Sequence, residues 1–295
     1  MRHLAKVANA LVPAKARRLV QHAQFMLSDR RELAHIKSAP IPLGYERIYH
    51  FHIRKTAGSS LNFAFRNAIL DGFPATEKNA EFFRRNWAVH AGRVYITHNK
   101  YLIERGEYFY GDGHAAFHEV DIPPNTFMLT ILRDPLRRIL SHYRMLMHWK
   151  NNGIDHPAKA KEVGYLGTSF ADFLDRVPRK HLMRQLYMFS ERMDVAEAAE
   201  NIRKMNFIMM TESFSQHLQR LGSLLQLDLR PFAEKASYGG VDEPGARERE
   251  RLAGLLAPEY ELLLAVAPLA GAHLVDGRPV EAERADRGAA VFAQT

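Results

Sequence analysis

Arg47-Ile48-Tyr49-His50-Phe51-His52-Ile53-Arg54-Lys55-Thr56-Ala57-Gly58-Ser59-Ser60-Leu61 changes character in mid-stretch. Arg47 to Ile53 is rich in β-branched and aromatic residues and reads as a short buried strand. Arg54 to Gly58 reads as a loop. Ser59 suits a helix N-cap, and Leu61, Phe65 and Ala68/Ile69 recur at helical spacing as far as Leu70. A helix N-terminus offers unpaired backbone N–H groups and the positive end of the helix dipole, so it binds phosphate-like anions. Lys55 adds a mobile charge, Thr56, Ser59 and Ser60 add hydroxyl donors, and Gly58 lets the backbone come close. The order is not that of the Walker loop G-x-x-x-x-G-K-[ST], because Lys55 precedes Gly58 and no glycine lies upstream of it in the loop. A capped helix with an exposed lysine would use the same residues, so this segment does not decide the chemistry alone.

Thr126-Phe127-Met128-Leu129-Thr130-Ile131-Leu132 is the clearest strand, an apolar run bounded by turn signals. Arg133-Asp134-Pro135 follows, with proline favoured in the first turn of a helix. Leu136, Ile139, Leu140, Tyr143, Leu146 and Met147 then form an amphipathic pattern. Arg133 stands at the carboxyl end of a buried strand, where open α/β sheets bind ligands. Ser141 lies two turns into the helix, and an arginine with a hydroxyl suits a second phosphate. Arg137, Arg138 and Arg144 read as a solvated helix face.

Working outward, Ala39 to Gly44 is a break and Val94 to Thr97 a further strand candidate. Glu107 to Glu119 is rich in Gly and His, and Asn151 to Ser169 reads as a polar linker. A helical stretch leads to a strand at Asn206–Met210 and a helix from about Ser213 to Leu225. Strands alternating with helices predict an α/β fold with a mostly parallel sheet. The expected organisation is a basic extension over 1–44, one domain over 45–276 and a polar tail over 277–295. Before Asp29 the first segment has no acid, and it reads as an exposed basic helix or one lying on anionic lipid.

Across 295 residues, 46% are hydrophobic and 25% charged, as in an ordinary globular protein. There is no cysteine, which excludes thiol catalysis, disulfide scaffolds and cysteine-ligated metal sites. The apolar stretch Leu262–Val275 is broken by Pro268 and too short to cross a bilayer. The formal charge of +8 attracts anions without choosing among nucleotides, acidic glycans, nucleic acid and anionic membranes.

Together the two chemistry-bearing segments resemble the sulfotransferase superfamily. His52-Ile-Arg-Lys-Thr-Ala-Gly-Ser-Ser-Leu61 resembles the 5′-phosphosulfate loop of its carbohydrate (heparan 2-O-type, family 2-like) branch, usually H-I-P-K-T-G-G-T-S-L. Leu132-Arg-Asp-Pro-Leu-Arg-Arg-Ile-Leu-Ser-His-Tyr143 resembles the 3′-phosphate motif, L-R-D-P-x-x-R-x-x-S-x-Y. Gly113-His114-Ala115-Ala116-Phe117 resembles the G-H segment between them, and weaker echoes occur at Arg184-Gln185-Leu186 and Thr211-Glu212-Ser213-Phe214. Arg54 replaces the usual proline, and Ala57 a common glycine.

The resemblance implies a P-loop-like three-layer α/β sandwich and 3′-phosphoadenosine 5′-phosphosulfate (PAPS) as donor, with no metal. By match of motif, Lys55, Thr56, Ala57, Gly58, Ser59 and Ser60 hold the 5′-phosphosulfate, and Arg133 and Ser141 the 3′-phosphate. Lys55 would also neutralise charge on the leaving phosphate, and His114 would take the acceptor proton, with His118 as second candidate base. The expected acceptor is a hydroxyl of a glycan or glycolipid, contacted by loops such as 71–93 and 151–169. No nucleic-acid partner is expected, and the expected location is the cytoplasm, at or near the inner face of a membrane. A metal pair at His114 and His118, a P-loop-type nucleotide or sugar kinase, and a non-catalytic polyanion-binding protein of the same fold are the alternatives.

Overall fold

The computed structural model describes residues 41–67, 86–90, 92–153, 162–231 and 244–280. The expectations for 1–40, for 281–295 and for most of the loop 71–93 lie outside the described residues. In chain order the elements are β1 (Arg47–Phe51), α1 (Gly58–Asn67), β2 (Trp87–His90), β3 (Arg93–Thr97), α2 (Lys100–Arg105), β4 (Tyr110–Gly113), β5 (Thr126–Leu132) and α3 (Pro135–Asn151). There follow α4 (Phe170–Arg176), α5 (Arg179–Leu182), α6 (Arg184–Phe189), α7 (Val195–Arg203), β6 (Phe207–Met210), α8 (Phe214–Leu225), α9 (Ala246–Val266) and the small pair β7 (Leu274–Val275) and β8 (Arg278–Pro279).

Six strands form one sheet in the order β2-β3-β4-β1-β5-β6. Every pair is parallel except β2 with β3. Alternation along β1 explains the three layers. Ile48 faces the side covered by Leu61, Ala64 and Phe65 of α1 and by Leu218, Leu221 and Leu225 of α8. Tyr49 and Phe51 face the opposite side, covered by Leu186 and Phe189 of α6, Ile202 of α7 and Leu262 and Val266 of α9. The architecture is therefore the expected α/β three-layer sandwich.

Several local expectations are corrected. β4 and β2 were not anticipated. β4, Tyr-Gly-Asp-Gly, is fully buried in mid-sheet, although glycine weakens strands. Its glycines make room for rings: a Cβ on Gly111 would stand 3.0 Å from Tyr108 Cε2, and one on Gly113 3.0 Å from Tyr49 Oη. Helix α1 begins at Gly58, with Leu61 N–H donating to Ala57 O at 3.2 Å, so Ser59 lies inside the first turn and is not the N-cap. Arg138 is not on a solvated face. It is 1% exposed and lies 3.6 Å from Glu259 of α9, while also donating to the carbonyls of His181 and Leu182.

The apolar C-terminal region forms a longer helix than its composition suggested. Ala246–Leu269 is long and apolar enough to span a bilayer. Leu252, Leu256, Leu262 and Val266 nevertheless pack into the protein, and the buried Glu259 carboxylate accepts from the backbone N–H groups of Gln185 and Leu186 at 2.6 and 3.2 Å.

Candidate active site

Because β3, β4, β1, β5 and β6 are parallel neighbours, their carboxyl ends line one edge. The first residue past each strand is, in spatial order, His98, His114, His52, Arg133 and Thr211. The chain reverses its direction of winding around β1, which is where open α/β sheets hold ligands.

After β1 the loop turns sharply. Lys55 and Ala57 take left-handed conformations, φ +70° and +67°. Such alternation aims successive N–H groups to one side and makes an anion-binding concavity. It also explains why glycine is usual at position 57, since a Cβ is unfavourable there. The Thr56 side chain is fully buried, and its hydroxyl donates to Ile53 O at 2.9 Å. That hydroxyl proton therefore closes the loop and is not turned outward. Gly58 is required by close approach, because an added Cβ would lie 2.1 Å from His52 Cδ2. Ser59 is exposed and Ser60 half-buried on the first turn of α1.

Arg133 joins the two sequence segments: its Nη1 donates to Lys55 O at 3.0 Å. It does not pair with Asp134, whose carboxylate caps α3 at Arg137 N–H and accepts from Tyr260 Oη. Burial lowers the Arg133 pKa, and its Nε is buried without a hydrogen-bond partner. A part-buried guanidinium at the carboxyl end of a strand suits an oxyanion. Its main chain is clamped by Gln185, which accepts from Arg133 N–H at 2.8 Å and donates to Arg133 O at 2.9 Å. Glu259 in turn holds Gln185. Thr211 Oγ1 is shared between Thr56 O at 2.9 Å and Leu132 O at 3.1 Å, tying the loop to β5. Ser141 is half-buried on α3, two turns beyond Arg133.

Arg54, in the position where proline is usual, pairs with Glu162. His142 Nε2 lies 3.3 Å from the same carboxylate. Burial alone would raise the Glu162 pKa, but His142 and Arg54 bring it down to about 2. An ion pair thus ties down the loop entry that a proline ring would otherwise stiffen.

On the other side of β1, His114 Nδ1 lies 2.6 Å from His52 O. A carbonyl only accepts, so Nδ1 carries the proton and Nε2 keeps its lone pair. The His114 ring centroid lies 4.4 Å from that of His52 and 4.6 Å from that of His98. Burial, reinforced by these two imidazoles, holds the His114 pKa well below the usual histidine value, which keeps the ring neutral. Below this row, Asp112 accepts from Arg66 and Thr97, each at 3.0 Å. His118, by contrast, is exposed on a single 3-10 turn, edge-on to Tyr187. Among the described residues no group of three or more His, Asp or Glu is arranged to hold a metal.

A family model described as the Sulfotransferase family matches residues 44–239, more than half of the chain. The chain belongs to the sulfotransferase family. No curated protein matches it. The family match contains the whole six-stranded sheet of this sulfotransferase and all five strand-end residues. It stops short of α9, whose Glu259 completes the clamp on Arg133. His98, Glu162 and Glu259 carried no signal as site residues in the sequence, and His52 opened the first motif without being given a role. Gln185 and Thr211 fell within the weaker echoes, and their contacts explain those echoes.

Proposed function

We propose that this sulfotransferase moves a sulfuryl group from PAPS to a hydroxyl of a carbohydrate. Sulfotransfer follows from the family. The donor, the acceptor class and the residue roles belong to the proposal. The observation that carries it is the adjacency of a tautomer-fixed, neutral imidazole on β4 and an anion-binding loop on β1.

In this reading the loop N–H groups, Lys55, Ser59 and Ser60 hold the 5′-phosphosulfate, and Thr56 contributes its main chain. Arg133 and Ser141 hold the 3′-phosphate. The acceptor oxygen attacks sulfur in line, and the bond between sulfur and the bridging phosphate oxygen breaks. His114 Nε2 takes the hydroxyl proton, while Lys55 offsets the charge growing on the leaving phosphate, an interaction stronger in the transition state than before it. His114 is favoured over His118 because its tautomer is fixed and its ring stands in the row of strand ends.

Two measurements test this. Incubation with labelled PAPS and a panel of glycans, with products mapped by mass spectrometry, should yield a sulfated glycan. The product nucleotide 3′,5′-diphosphoadenosine should raise the melting temperature, with about 2.7 kcal/mol at a hundredfold excess over Kd. An equal shift from ATP would sink the donor assignment.

A further inference from the structure

His98 is the one residue of the strand-end row with a ring against the candidate base and no part in the reaction as described. Its backbone is left-handed, φ +51°, a conformation that a residue with a Cβ keeps only when its surroundings enforce it. Both neighbours supply that enforcement. His98 N–H donates to Asp112 O at 2.9 Å, and the next residue, Asn99, caps α2 by accepting from Leu102 N–H at 3.2 Å. The outcome is an imidazole against His114, tilted 37° between ring planes and coming from the β3 side, while His52 comes from the β1 side at 49°. The Nδ1 contact with His52 O and the rings of His52 and His98 together restrict how the His114 imidazole can turn.

We propose that His98 is a positioning residue for His114, its ring packing against the imidazole from the β3 side so that Nε2 keeps its aim at the acceptor hydroxyl. This rests on His114 being the base. The contact is also electrically responsive. His98 reaches solvent, yet the groups packed round it lower its pKa by desolvation. Facing it are His114 after β4, His52 after β1, Asp112 on β4, Arg66 on α1 and Arg54 in the loop. A proton on His98 opposes a second one on His114, so the base stays neutral as the medium acidifies.

The test uses the full chain with His98→Ala and His98→Phe. The readouts are turnover against pH, donor affinity, and the ring ¹⁵N shifts of His114 followed by NMR and assigned by their loss in His114→Gln. His98→Ala should lower turnover at least tenfold with donor affinity unchanged, and should move the His114 titration to higher pH. His98→Phe restores the ring without a titrating group, so turnover should largely return while the titration stays displaced. Wild-type turnover and an unmoved His114 titration in His98→Ala would overturn the proposal, as would equal losses in the two variants. The ring titration needs no substrate. A chain that sulfates nothing yet shows the displaced titration would refute the donor and acceptor reading and leave the contact between His98 and His114 standing.

Discussion

The two halves of the sheet edge are held in different ways. From β1 to β6 the fixings are main-chain ones: Arg133 to Lys55 O, Thr211 to Thr56 O and Leu132 O, and Gln185 to both ends of the Arg133 peptide. From β1 to β3 a row of imidazoles adds to the main-chain bonds, with His50, His52, His114 and His98 in succession at 5.1, 4.4 and 4.6 Å between centroids, the first pair stacked and the other two tilted. Carbonyls and amides do not titrate in the physiological range, whereas imidazoles do. In the proposed reading one half is the anion cradle, and the other, where burial keeps His50 and His114 neutral, holds the group that takes the proton.

The sharpest separation of the halves comes from His114→Ala. Turnover should fall on the order of 10²–10⁴-fold with donor affinity nearly unchanged. Isothermal titration with the product nucleotide, beside steady-state rates, checks both, and His118→Ala should behave as wild type. An active His114→Ala beside a dead His118→Ala would move the base.

On the cradle side, Arg133→Ala removes a charge-assisted contact worth roughly 1.5–3 kcal/mol and should weaken donor binding by that amount. Gln185→Ala should weaken it less, acting only through the placement of Arg133. Lys55→Ala should lower turnover at saturating donor, and a wild-type rate there would remove the leaving-group role. A Gln185→Ala chain with unaltered donor affinity would show that the clamp is not what sets Arg133.

Buried or half-buried histidines, one on the ring side and two on α3 and α5, predict an acid weakness. Burial lowers the His50 pKa to about 3 and those of His142 and His181 to about 4. Each takes up a proton in the unfolded chain near pH 6.5 but not in the folded one. Their stabilisation is whole above that value and is lost as pH falls toward 4. Each contributes a slope of about 1.4 kcal/mol per pH unit in that window. Thermal melts from pH 7.5 to 4.5 should show a falling midpoint, and His50→Phe should flatten the fall by one proton. An unchanged slope would mean that His50 is not buried neutral.

The smallest effect belongs to the loop. Ala57→Gly relieves a left-handed residue carrying a Cβ, at the cost of greater freedom in the unfolded chain, for a net gain of up to about 1 kcal/mol. A loss of stability in that variant would show that the loop conformation is different.

Local chemistry was legible in the sequence. The apolar run of β5, the proline that starts α3 and the strand, loop and helix unit around Lys55 are each contiguous, and their form depends on neighbours a few residues away. The α/β class with a mostly parallel sheet followed from the alternation of those elements, and the three layers from the family resemblance. β4 was missed because Tyr-Gly-Asp-Gly contradicts strand propensity, and the reason for its glycines, the rings of Tyr108 and Tyr49, lies outside the strand. Arg138 was assigned to solvent because its partner Glu259 lies far along the chain, on α9. Likewise, nothing around His98 distinguishes it among the 15 histidines of the chain. The sequence determined which residues could bind an anion and in what order the strands and helices come. Only the tertiary structure decided that parallel neighbours would set His98, His114, His52, Arg133 and Thr211 side by side, because strand order is settled by how distant segments pack, and ring stacking and buried charge pairing exist only once they have packed.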